Sequence, residues 1–354
     1  MKVIRLTTLL DFGGQERKYL LFTESPEGLQ HEYVFAALGY GGHTEGVLRS
    51  RGFRVRIFNR NPKISTLSNV WVLYRWFRQE RPDVVHTAAG EANFHGILAA
   101  RLAGVRTIIG EEIGLPTHSR KAQYVFRWVY RLAHRVVCVS RSVHAFLVAL
   151  GELEPARGVV VYNPVSVQAV LPKMPSSVFT LVCVGRLERV KNHTVLLQAL
   201  APLAAQPFRL LLVGEGRERQ ALEAEVAAYG LTDRVAFVGF SATPETYLAQ
   251  ADLFVLPSLS EGFGIAVVEA LLQQVPCLCS AVGGVPEFIT DTETGWLFDP
   301  QNVPELTAKL AYIMGLPAAE RQAVALKGYT SVIGKFTPEQ YQRTLEHLYE
   351  NPTH

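Results

Sequence analysis

The chain has 354 residues, of which 48% are hydrophobic and 19% charged, with a net charge of +3. This length exceeds what one hydrophobic core usually supports, so we expect two domains, and the composition excludes disordered and collagen-like proteins. The charge divides unevenly: residues 1–170 carry 22 Lys/Arg against 13 Asp/Glu, and residues 171–354 carry 13 against 19. This split favours an anionic partner for the first half, with two ordinary solvated surfaces as the alternative.

In the first half, short apolar runs alternate with amphipathic stretches. Continuous β-branched runs separated by helical patterns are typical of a parallel sheet that is covered on both faces. We predict strands at 3–10, 53–58, 83–86, 106–109, 135–139 and 158–162, with 31–38 as a further candidate, and helices within 65–80, 92–103 and 119–134.

After Asn163 and Pro164 the pattern loosens into a stretch with Pro172 and Pro175, which we interpret as a linker. The alternation then restarts. We predict a second set of strands at 179–184, 208–213, 234–238, 252–256, 276–279 and 296–298.

The predicted fold is α/β, with two Rossmann-like, doubly wound domains in tandem. The first domain covers residues 1–165 and the second residues 176–335. Residues 336–354 contain Tyr341, Leu345 and Leu348 at helical spacing, and we expect them to pack back on the first domain. Because such sheets bind ligands beyond the carboxyl ends of their strands, we expect the site in a cleft between the domains.

The cysteines and the apolar runs indicate the cellular compartment of the protein. All four cysteines lie in or beside apolar runs, and scattered thiols in a long chain are typical of a reducing compartment. No apolar run approaches the ~18 residues of a membrane span, and Asp11 follows the N-terminal run too early for a signal peptide. We therefore predict a cytoplasmic protein in which Cys277 and Cys279 are buried thiols rather than metal ligands.

The sequence lacks the motifs of several common classes of active site. The chain has no Walker A loop, HExxH, paired CxxC or GxSxG motif, and no Asp-x-Asp pair for a magnesium ion. Gly214 and Gly216 follow a predicted strand, but Arg219 stands where a dinucleotide fingerprint has its third glycine. We therefore expect neither a metal site nor an NAD site.

A basic turn follows the strand predicted at 179–184. Gly185 would let the backbone approach a ligand, while Arg186 and Lys191 stand close together where a helix is expected to begin. A helix N-terminus favours anions, and Arg and Lys neutralise phosphate charge. The turn therefore indicates a diphosphate site.

Two carboxylates follow the strand predicted at 252–256. Glu261 lies in a glycine-rich turn, and we place Glu269 two turns into a helix that begins near Phe263, on the buried side of that helix. A buried carboxylate needs a polar partner, and the vicinal hydroxyls of a ribose can supply one. Glu261 would meet a sugar hydroxyl in the same way. The alternative is that Glu269 pairs within the protein.

These motifs are ordered along the chain as they are in a known family. They are Gly13-Gly14-Gln15-Glu16, Gly185-Arg186 with Lys191, Val238-Gly239-Phe240, Glu261 with Glu269, and Gly283-Gly284-Val285-Pro286-Glu287. Together they resemble the motifs of glycosyltransferase family 4 from about residue 10 to residue 300. The resemblance implies a GT-B fold and a retaining enzyme that uses a nucleotide-diphosphate sugar as donor.

The resemblance also implies roles for single residues. Arg186 and Lys191 would hold the donor diphosphate in place of a metal ion, Glu269 would bind the ribose, and Glu261 the transferred sugar. The other donor-binding candidates are Gly14, Val238, Phe240, Gly262, Phe263, Gly264 and Ile265. No cofactor or metal is expected, and a UDP-sugar is favoured over a GDP-sugar. The acceptor hydroxyl would attack from the side of the departing phosphate, without a protein nucleophile.

One position departs from the family pattern. Similar proteins commonly carry a histidine near the sugar, in a loop where this chain has Glu112. A carboxylate accepts from a hydroxyl but does not replace a neutral imidazole donor. His95, expected at a strand end, is another polar group for this role, with a place on a helix face as the alternative. The catalytic candidates are therefore Glu261, Glu112 and His95.

The acceptor is inferred from the helix predicted near 119–136. Its apolar residues Val125, Val129, Leu132 and Val136 are spaced as one core stripe. The opposite face carries Arg120, Tyr124, Arg127, Arg131 and Arg135, with Trp128 beside them. Basic and aromatic residues on one face suit an anionic bilayer, and a solvated helix is the alternative.

We therefore expect a glycan or lipid-linked acceptor, in cell-surface polysaccharide, lipopolysaccharide or lipid-linked glycan synthesis at the inner face of the cell membrane. Two alternatives remain: a glycosyltransferase that acts on a soluble small-molecule acceptor, and a nucleotide-sugar epimerase of similar fold. No nucleic-acid-binding module is recognised.

Overall fold

The computed structural model describes residues 1–11, 14–166, 169–173, 176 and 178–352, with the backbone alone for Gln15. Gly13 of the expected glycine motif and Pro175 of the expected linker lie outside the described residues. The chain divides into a first unit, Met1–Val165 with Phe336–His354, and a second unit, Ser166–Lys335.

The first unit contains a seven-stranded parallel sheet. Its strands are β1 (Lys2–Thr7), β2 (Glu32–Ala37), β3 (Arg54–Ile57), β4 (Val84–Ala88), β5 (Thr107–Glu112), β6 (Arg135–Cys138) and β7 (Gly158–Val160). They lie in the order β3-β2-β1-β4-β5-β6-β7, which includes the strand predicted at 31–38. β1 ends at Thr7 rather than residue 10, because Leu10 makes only an isolated bridge with Gly41.

Six helices connect these strands. They are α1 (Gly14–Phe22), α2 (His43–Ser50), α3 (Ser68–Glu80), α4 (Gly90–Ala103), α5 (Arg120–Leu132) and α6 (Arg141–Ala149). α3 packs against α4 and α4 against α5, whereas α1 packs against α2.

The burial of α5 confirms Val129 of the predicted core stripe and shows that the prediction was wrong at Val125. Its buried side chains are Phe126, Val129 and Tyr130, whereas Val125 is 40% exposed and Val136 belongs to β6. Phe126 lies about 100° around the helix from Val125, so the buried face is turned from Val125 towards the aromatic residues. The reason is that two aromatic rings bury more apolar area than the valine and leucine of the predicted stripe.

The second unit contains a six-stranded parallel sheet. Its strands are β8 (Phe179–Val184), β9 (Phe208–Val213), β10 (Val235–Gly239), β11 (Leu253–Leu256), β12 (Cys277–Ser280) and β13 (Trp296–Phe298), in the order β10-β9-β8-β11-β12-β13. The helices are α7 (His193–Leu200), α8 (Arg219–Ala228), α9 (Glu245–Leu248), α10 (Ile265–Leu272), α11 (Val303–Gly315) and α12 (Ala318–Val332). Two parallel α/β sheets confirm the predicted fold class.

The last helix, α13 (Pro338–Glu350), packs on the sheet of the first unit, and its buried side chains include Tyr341, Leu345 and Leu348. Two of its polar side chains bond to that unit as well. Gln342 Nε2 donates to the carbonyl oxygen of Phe22 over 2.6 Å, and Glu346 Oε1 accepts from the hydroxyl of Tyr33 over 3.1 Å. Because it buries apolar side chains against the sheet and also hydrogen-bonds to the first unit through Gln342 and Glu346, α13 is an integral part of that unit.

No helix in the part of the chain that the structure describes combines the length and the apolar composition needed to cross a bilayer.

Candidate active site

Backbone hydrogen bonds join the turns at the carboxyl ends of β8, β9 and β10. Leu187 N donates to Glu215 O over 2.9 Å, and Gly214 N donates to Gly239 O over 2.8 Å. Gly214 has a φ of +147°, and a Cβ at this position would lie 2.0 Å from the carbonyl oxygen of Gly185. The first glycine of the half dinucleotide motif therefore serves a close contact between two strand-end turns.

Of the predicted phosphate-binding and sugar-binding side chains, Lys191 and Glu261 are in contact at this edge of the sheet. Arg186 is exposed in the turn after β8, and Arg189–Lys191 form a 3₁₀ turn ahead of α7. The ammonium of Lys191 contacts Glu261 Oε1, and Ser258 Oγ donates to the same oxygen over 2.7 Å. The cation expected to bind phosphate is thus paired with the carboxylate expected to bind the sugar.

A second glycine turn fixes the loop that carries Glu261. Gly283 has a φ of +56°, and a Cβ there would lie 1.6 Å from the carbonyl oxygen of Glu261. A side chain at position 283 would therefore displace the Glu261 loop.

α10 begins at Ile265, so Glu269 lies about one turn into the helix rather than the two turns that we predicted. The Glu269 side chain is 8% exposed, as expected for the buried side of the helix. Gly264, with a φ of +97°, directly precedes the first helical residue, where free backbone N–H groups are available to an anion.

The other predicted donor residues occupy different environments. Phe263 is 2% exposed and packs edge-to-face against Phe288, with ring centroids 5.5 Å apart, so its ring belongs to the core. Val238 and Gly262 are half-buried, whereas Phe240 is 60% exposed just after β10. Gly14, in the first unit, is the first residue of α1.

Glu112 is the last residue of β5 and is 5% exposed. Its Oε2 accepts a hydrogen bond from the Tyr130 hydroxyl over 2.7 Å, and its Oε1 accepts from the backbone N–H of Ile113 over 3.2 Å. Burial raises the pKa of Glu112 to about 7, although both hydrogen bonds lower it. This carboxyl group therefore changes its protonation state near neutral pH.

His95 does not lie at a strand end, because it is part of α4 and is fully buried. Its Nε2 lies 3.2 Å from the carbonyl oxygen of Lys63, in the segment before α3. Burial lowers the pKa of His95, which keeps the ring neutral. The observed contact is with the backbone of the first unit.

A second group of polar side chains, which was not predicted from the sequence, lies near Glu112. His118 stacks on Phe126 with ring centroids 4.3 Å apart, and its Nδ1 lies 2.9 Å from Glu152 Oε1. Asn93 Nδ2 bonds the backbone of β5 and lies 3.4 Å from the Tyr130 hydroxyl. In the sequence, only His118, six residues after Glu112, indicated that polar side chains gather here. The other members of this group come from separate helices and loops, so their positions in the chain do not connect them to Glu112.

Glu111, which alternates with Glu112 along β5, lies on the opposite face of the sheet. It contacts Lys18 through Oε1, while its Oε2 lies 3.5 Å from Arg5 Nη2 and 3.2 Å from His86 Nε2. All four side chains are at most 1% exposed. Burial alone would raise the pKa of Glu111, but the charge of Lys18, the imidazole of His86 and Arg5 hold that pKa well below its ordinary value.

The same buried cluster reaches the C-terminal helix. Arg5 Nη2 donates to the hydroxyl of Tyr341 over 3.2 Å, and the hydroxyl of Tyr349 lies 2.7 Å from His86 Nδ1. Burial lowers the pKa of Lys18 to about 8 and that of His86 to about 4. At neutral pH two cations and one carboxylate are therefore enclosed between the sheet, α1 and α13.

Among the described residues, no group of three or more His, Cys, Asp or Glu side chains could hold a metal ion. The four cysteines are buried free thiols, as we predicted for Cys277 and Cys279.

Two family models match the chain. The model for glycosyltransferase family 4 matches residues 12–169, and the model for group 1 glycosyl transferases matches residues 172–329. A GDP-mannose-dependent alpha-mannosyltransferase of Mycobacterium tuberculosis is 31% identical over 312 residues, which are 81% of this chain and 78% of the relative. The UDP-Gal:alpha-D-GlcNAc-diphosphoundecaprenol alpha-1,3-galactosyltransferase of Escherichia coli is 26% identical over 280 residues, 72% of each chain.

Solved structures share the fold over the whole chain. Anabaena HepE in complex with UDP and glucose has a TM-score of 0.84 at 20% identity, with 99% of both chains covered. Sucrose-phosphate synthase from Thermosynechococcus elongatus has a TM-score of 0.86 at 20% identity, again with 99% of both chains covered.

Proposed function

Because this chain belongs to glycosyltransferase family 4 and has its two-sheet GT-B architecture, we propose that it transfers a sugar, with retention, from a nucleotide-diphosphate sugar to a hydroxyl of a glycan acceptor. The relatives support a hexosyl glycosyltransferase over a nucleotide-sugar epimerase. The acceptor that we propose is a glycan, lipid-linked or part of a cell-surface polysaccharide or lipopolysaccharide. The Escherichia coli relative, described as acting on a diphosphoundecaprenol-linked sugar, supports this class.

The contact between Lys191 and Glu261, beside the start of α10, is the observation that carries the proposal. A donor diphosphate would replace Glu261 as the partner of the Lys191 ammonium, and the released carboxylate would then accept from a hydroxyl of the transferred sugar. Arg186 would add a second cation, and Glu269 would bind the ribose. Since the acceptor hydroxyl attacks from the side of the leaving phosphate, no protein nucleophile is required.

Replacement of Arg186 or of Lys191 by alanine is expected to weaken binding of a nucleotide-diphosphate sugar by about 1.5–3 kcal/mol each, the usual range for hydrogen bonds to charged groups. Binding of the free nucleoside should change little, because it lacks the diphosphate. Isothermal titration calorimetry measures both. Arg189→Ala, which removes an exposed cation from the same turn, is the matched control and should bind as wild type. Unchanged donor affinity in both site variants would reject the diphosphate assignment.

Sugar transfer is expected to proceed without a divalent metal ion, because Arg186 and Lys191 would neutralise the leaving diphosphate. The measurement is the transfer rate in excess chelator, compared with the rate after magnesium or manganese is added back. Complete loss in chelator, restored by either ion, would show that the two cations do not have this role.

We propose a UDP-sugar rather than a GDP-sugar as the donor. A ligand that binds only the folded protein raises its melting temperature, so a thermal-shift screen over UDP- and GDP-sugars identifies the base, and anomer analysis of the product by NMR tests retention. A larger increase in melting temperature with GDP-mannose than with UDP-sugars would show that the donor base is guanine. The assignment as a glycosyltransferase would be unaffected.

The exposed face of α5 is proposed to lie on an anionic membrane. It presents Arg120, Lys121, Tyr124, Arg127, Trp128 and Arg131, with Tyr124 73% and Trp128 56% exposed. Arg135, which we had placed on this face, belongs to β6 and donates to the carbonyl oxygen of Ala156 over 2.6 Å. Each cation near the surface contributes about 1 kcal/mol, within a Debye length of about 8 Å at physiological salt.

Binding to anionic but not to neutral liposomes is therefore expected, and Arg127→Glu with Arg131→Glu should weaken it by at least about tenfold. High salt should weaken it as well. Donor binding, which involves the second unit, should survive. Lys327→Glu with Arg343→Glu reverses two exposed charges elsewhere and should leave vesicle binding unchanged. If the wild type ignores anionic liposomes at low salt, α5 is a solvated helix and a soluble acceptor is favoured.

A further inference from the structure

α3 carries a second exposed stripe in the first unit. Leu67, just before the helix, is 62% exposed, and Trp71 is 60% exposed. Residues four apart are neighbours on a helix surface, and the exposed Arg75 and Arg78 continue the same stripe. The ring of Tyr74 stacks against Trp71 with centroids 5.0 Å apart. Two large apolar side chains thus face solvent directly beside two cations.

The chain around this stripe contains no negative charge. Residues 46–79 include eight Lys/Arg and no Asp or Glu. Some of these cations pair with carboxylates outside the segment, as Arg49 does with Glu45, whereas Lys63, Arg75 and Arg78 stand exposed. We name Lys63, Leu67, Trp71, Arg75 and Arg78 the α3 face. Its charge complements an anionic surface and repels a cationic one.

The segment that leads into α3 is fixed to the helices beside it. Asn69 is fully buried, accepts from Arg60 Nε over 2.7 Å and donates to the carbonyl oxygen of Asn61 over 2.9 Å. His95 on α4 holds the carbonyl group of Lys63. Because these contacts order the segment in advance, the apolar side chains are presented without a further cost of ordering on binding.

We propose that the α3 face is a membrane contact, in which Leu67 and Trp71 insert into the interfacial region of an anionic bilayer while the cations face its headgroups. Tryptophan favours that interface, and an apolar insertion beside cations is how interfacial helices bind membranes. The inference rests on the membrane association proposed for α5. Both helices pack against α4, so they belong to one helical layer of the first unit.

Both faces combine cations with exposed apolar side chains, since α5 also presents Tyr124 and Trp128. The contribution of the cations on either face decays with salt. The α3 face adds apolar burial, which salt does not screen. Wild-type protein bound to anionic vesicles should therefore keep a salt-resistant fraction, and that fraction should depend on Leu67 and Trp71.

The full-length chain is tested by flotation with vesicles of phosphatidylglycerol and phosphatidylcholine, or of phosphatidylcholine alone. Leu67→Ser with Trp71→Ser is expected to weaken binding to the anionic vesicles by roughly tenfold or more and to reduce the salt-resistant fraction. Tyr312→Ser with Leu326→Ser changes two exposed apolar side chains of the second unit, 59% and 44% exposed, and should bind as wild type. Vesicle binding by the Leu67/Trp71 variant that equals the wild type overturns the proposal.

Fluorescence with brominated lipid tests insertion directly. Tryptophan emission of the wild type should be quenched by brominated vesicles, and Trp71→Phe should lose more of this quenching than Trp128→Phe. Equal quenching in wild type and Trp71→Phe overturns the proposal, as does a concentration-dependent dimer that Leu67→Ser with Trp71→Ser abolishes. Thermal shifts with UDP-sugars, run on the same variants, test the proposed function separately, because donor binding requires no membrane.

Discussion

Replacing Glu111 by glutamine is expected to lower the free energy of unfolding of the first unit by about 3–5 kcal/mol, the usual cost of breaking a buried ion pair by removing one partner. Glu111 is the carboxylate that faces the fully enclosed cations Lys18 and Arg5. Without it both cations are buried uncompensated, and α13 loses part of its support, since Arg5 also bonds Tyr341.

Differential scanning calorimetry of the full chain measures the effect, since two units need not unfold in a single transition. For a unit of this size the loss corresponds to a melting temperature lower by on the order of 10 °C. Glu154→Gln removes an exposed carboxylate that pairs with Arg131 and Arg157 and should change stability little. Adding Lys18→Met to Glu111→Gln should recover part of the loss, because it removes one uncompensated charge. A Glu111→Gln variant as stable as wild type would falsify the electrostatic account of this cluster.

The pH dependence of that deficit has a definite sign. Lys18 has a pKa of about 8 in the folded protein, below its ordinary value of 10.5, so the unfolded chain binds more protons between these values and stability rises with pH there. In Glu111→Gln the pKa of Lys18 is lower still, and the rise begins at lower pH. The deficit relative to wild type should therefore shrink as pH increases towards 10.

Replacing the next residue, Glu112, by glutamine is expected to have the opposite effect and to stabilise the protein above pH 7. The folded pKa of Glu112 is about 7, against an ordinary value of 4.5, so the folded state binds more protons between pH 4.5 and 7. Wild-type stability is therefore lost as pH rises through this window. A pKa difference of about 2.5 units corresponds to about 3 kcal/mol of folding stability. A glutamine at this position does not titrate, so the variant keeps this stability between pH 4.5 and 7.

Stability curves of wild type and Glu112→Gln, recorded from pH 4.5 to 8, should nearly coincide at the acid end and diverge up to pH 7. Tyr130→Phe removes the hydrogen bond to Glu112 Oε2, and this raises the pKa of the Glu112 carboxyl further. In this variant the loss of stability should therefore extend to higher pH than in the wild type. Parallel curves for wild type and Glu112→Gln would show that Glu112 is already ionised below pH 5. If Glu112 also takes part in sugar transfer, the stabilised Glu112→Gln variant should be less active. Polar groups that an active site retains for function commonly reduce stability.

The local pattern of the chain was enough to identify the strands, the α/β class and the family. Each buried strand of a parallel sheet is a short apolar run, and such runs can be recognised without knowing their neighbours. The motifs around Arg186 and Glu261 were recognisable for the same reason, because a turn between a strand and a helix is a local structure.

The environment of each charged side chain was decided only by the tertiary structure. Glu111 and Glu112 are adjacent and chemically identical, yet one is held ionised by Lys18, Arg5 and His86, and the other has a pKa near 7. His95 was expected at a strand end and is buried on α4. Partners such as Lys18 and Glu111 are separated by 93 residues, so no local pattern records that they meet.

The buried face of α5 was also a tertiary decision. Valine, leucine and the aromatic residues all satisfy a helical period, so the period predicted a stripe with Val125 and Val129 where Phe126, Val129 and Tyr130 are buried. Phe126 and Tyr130 are buried because they stack against His118 and hydrogen-bond Glu112, groups that come from the end of β5 and the loop after it. The sequence by itself therefore determined where helices and strands form, since that depends on near neighbours, whereas folding decided which charges are paired and which faces are covered, since those depend on contacts between distant segments.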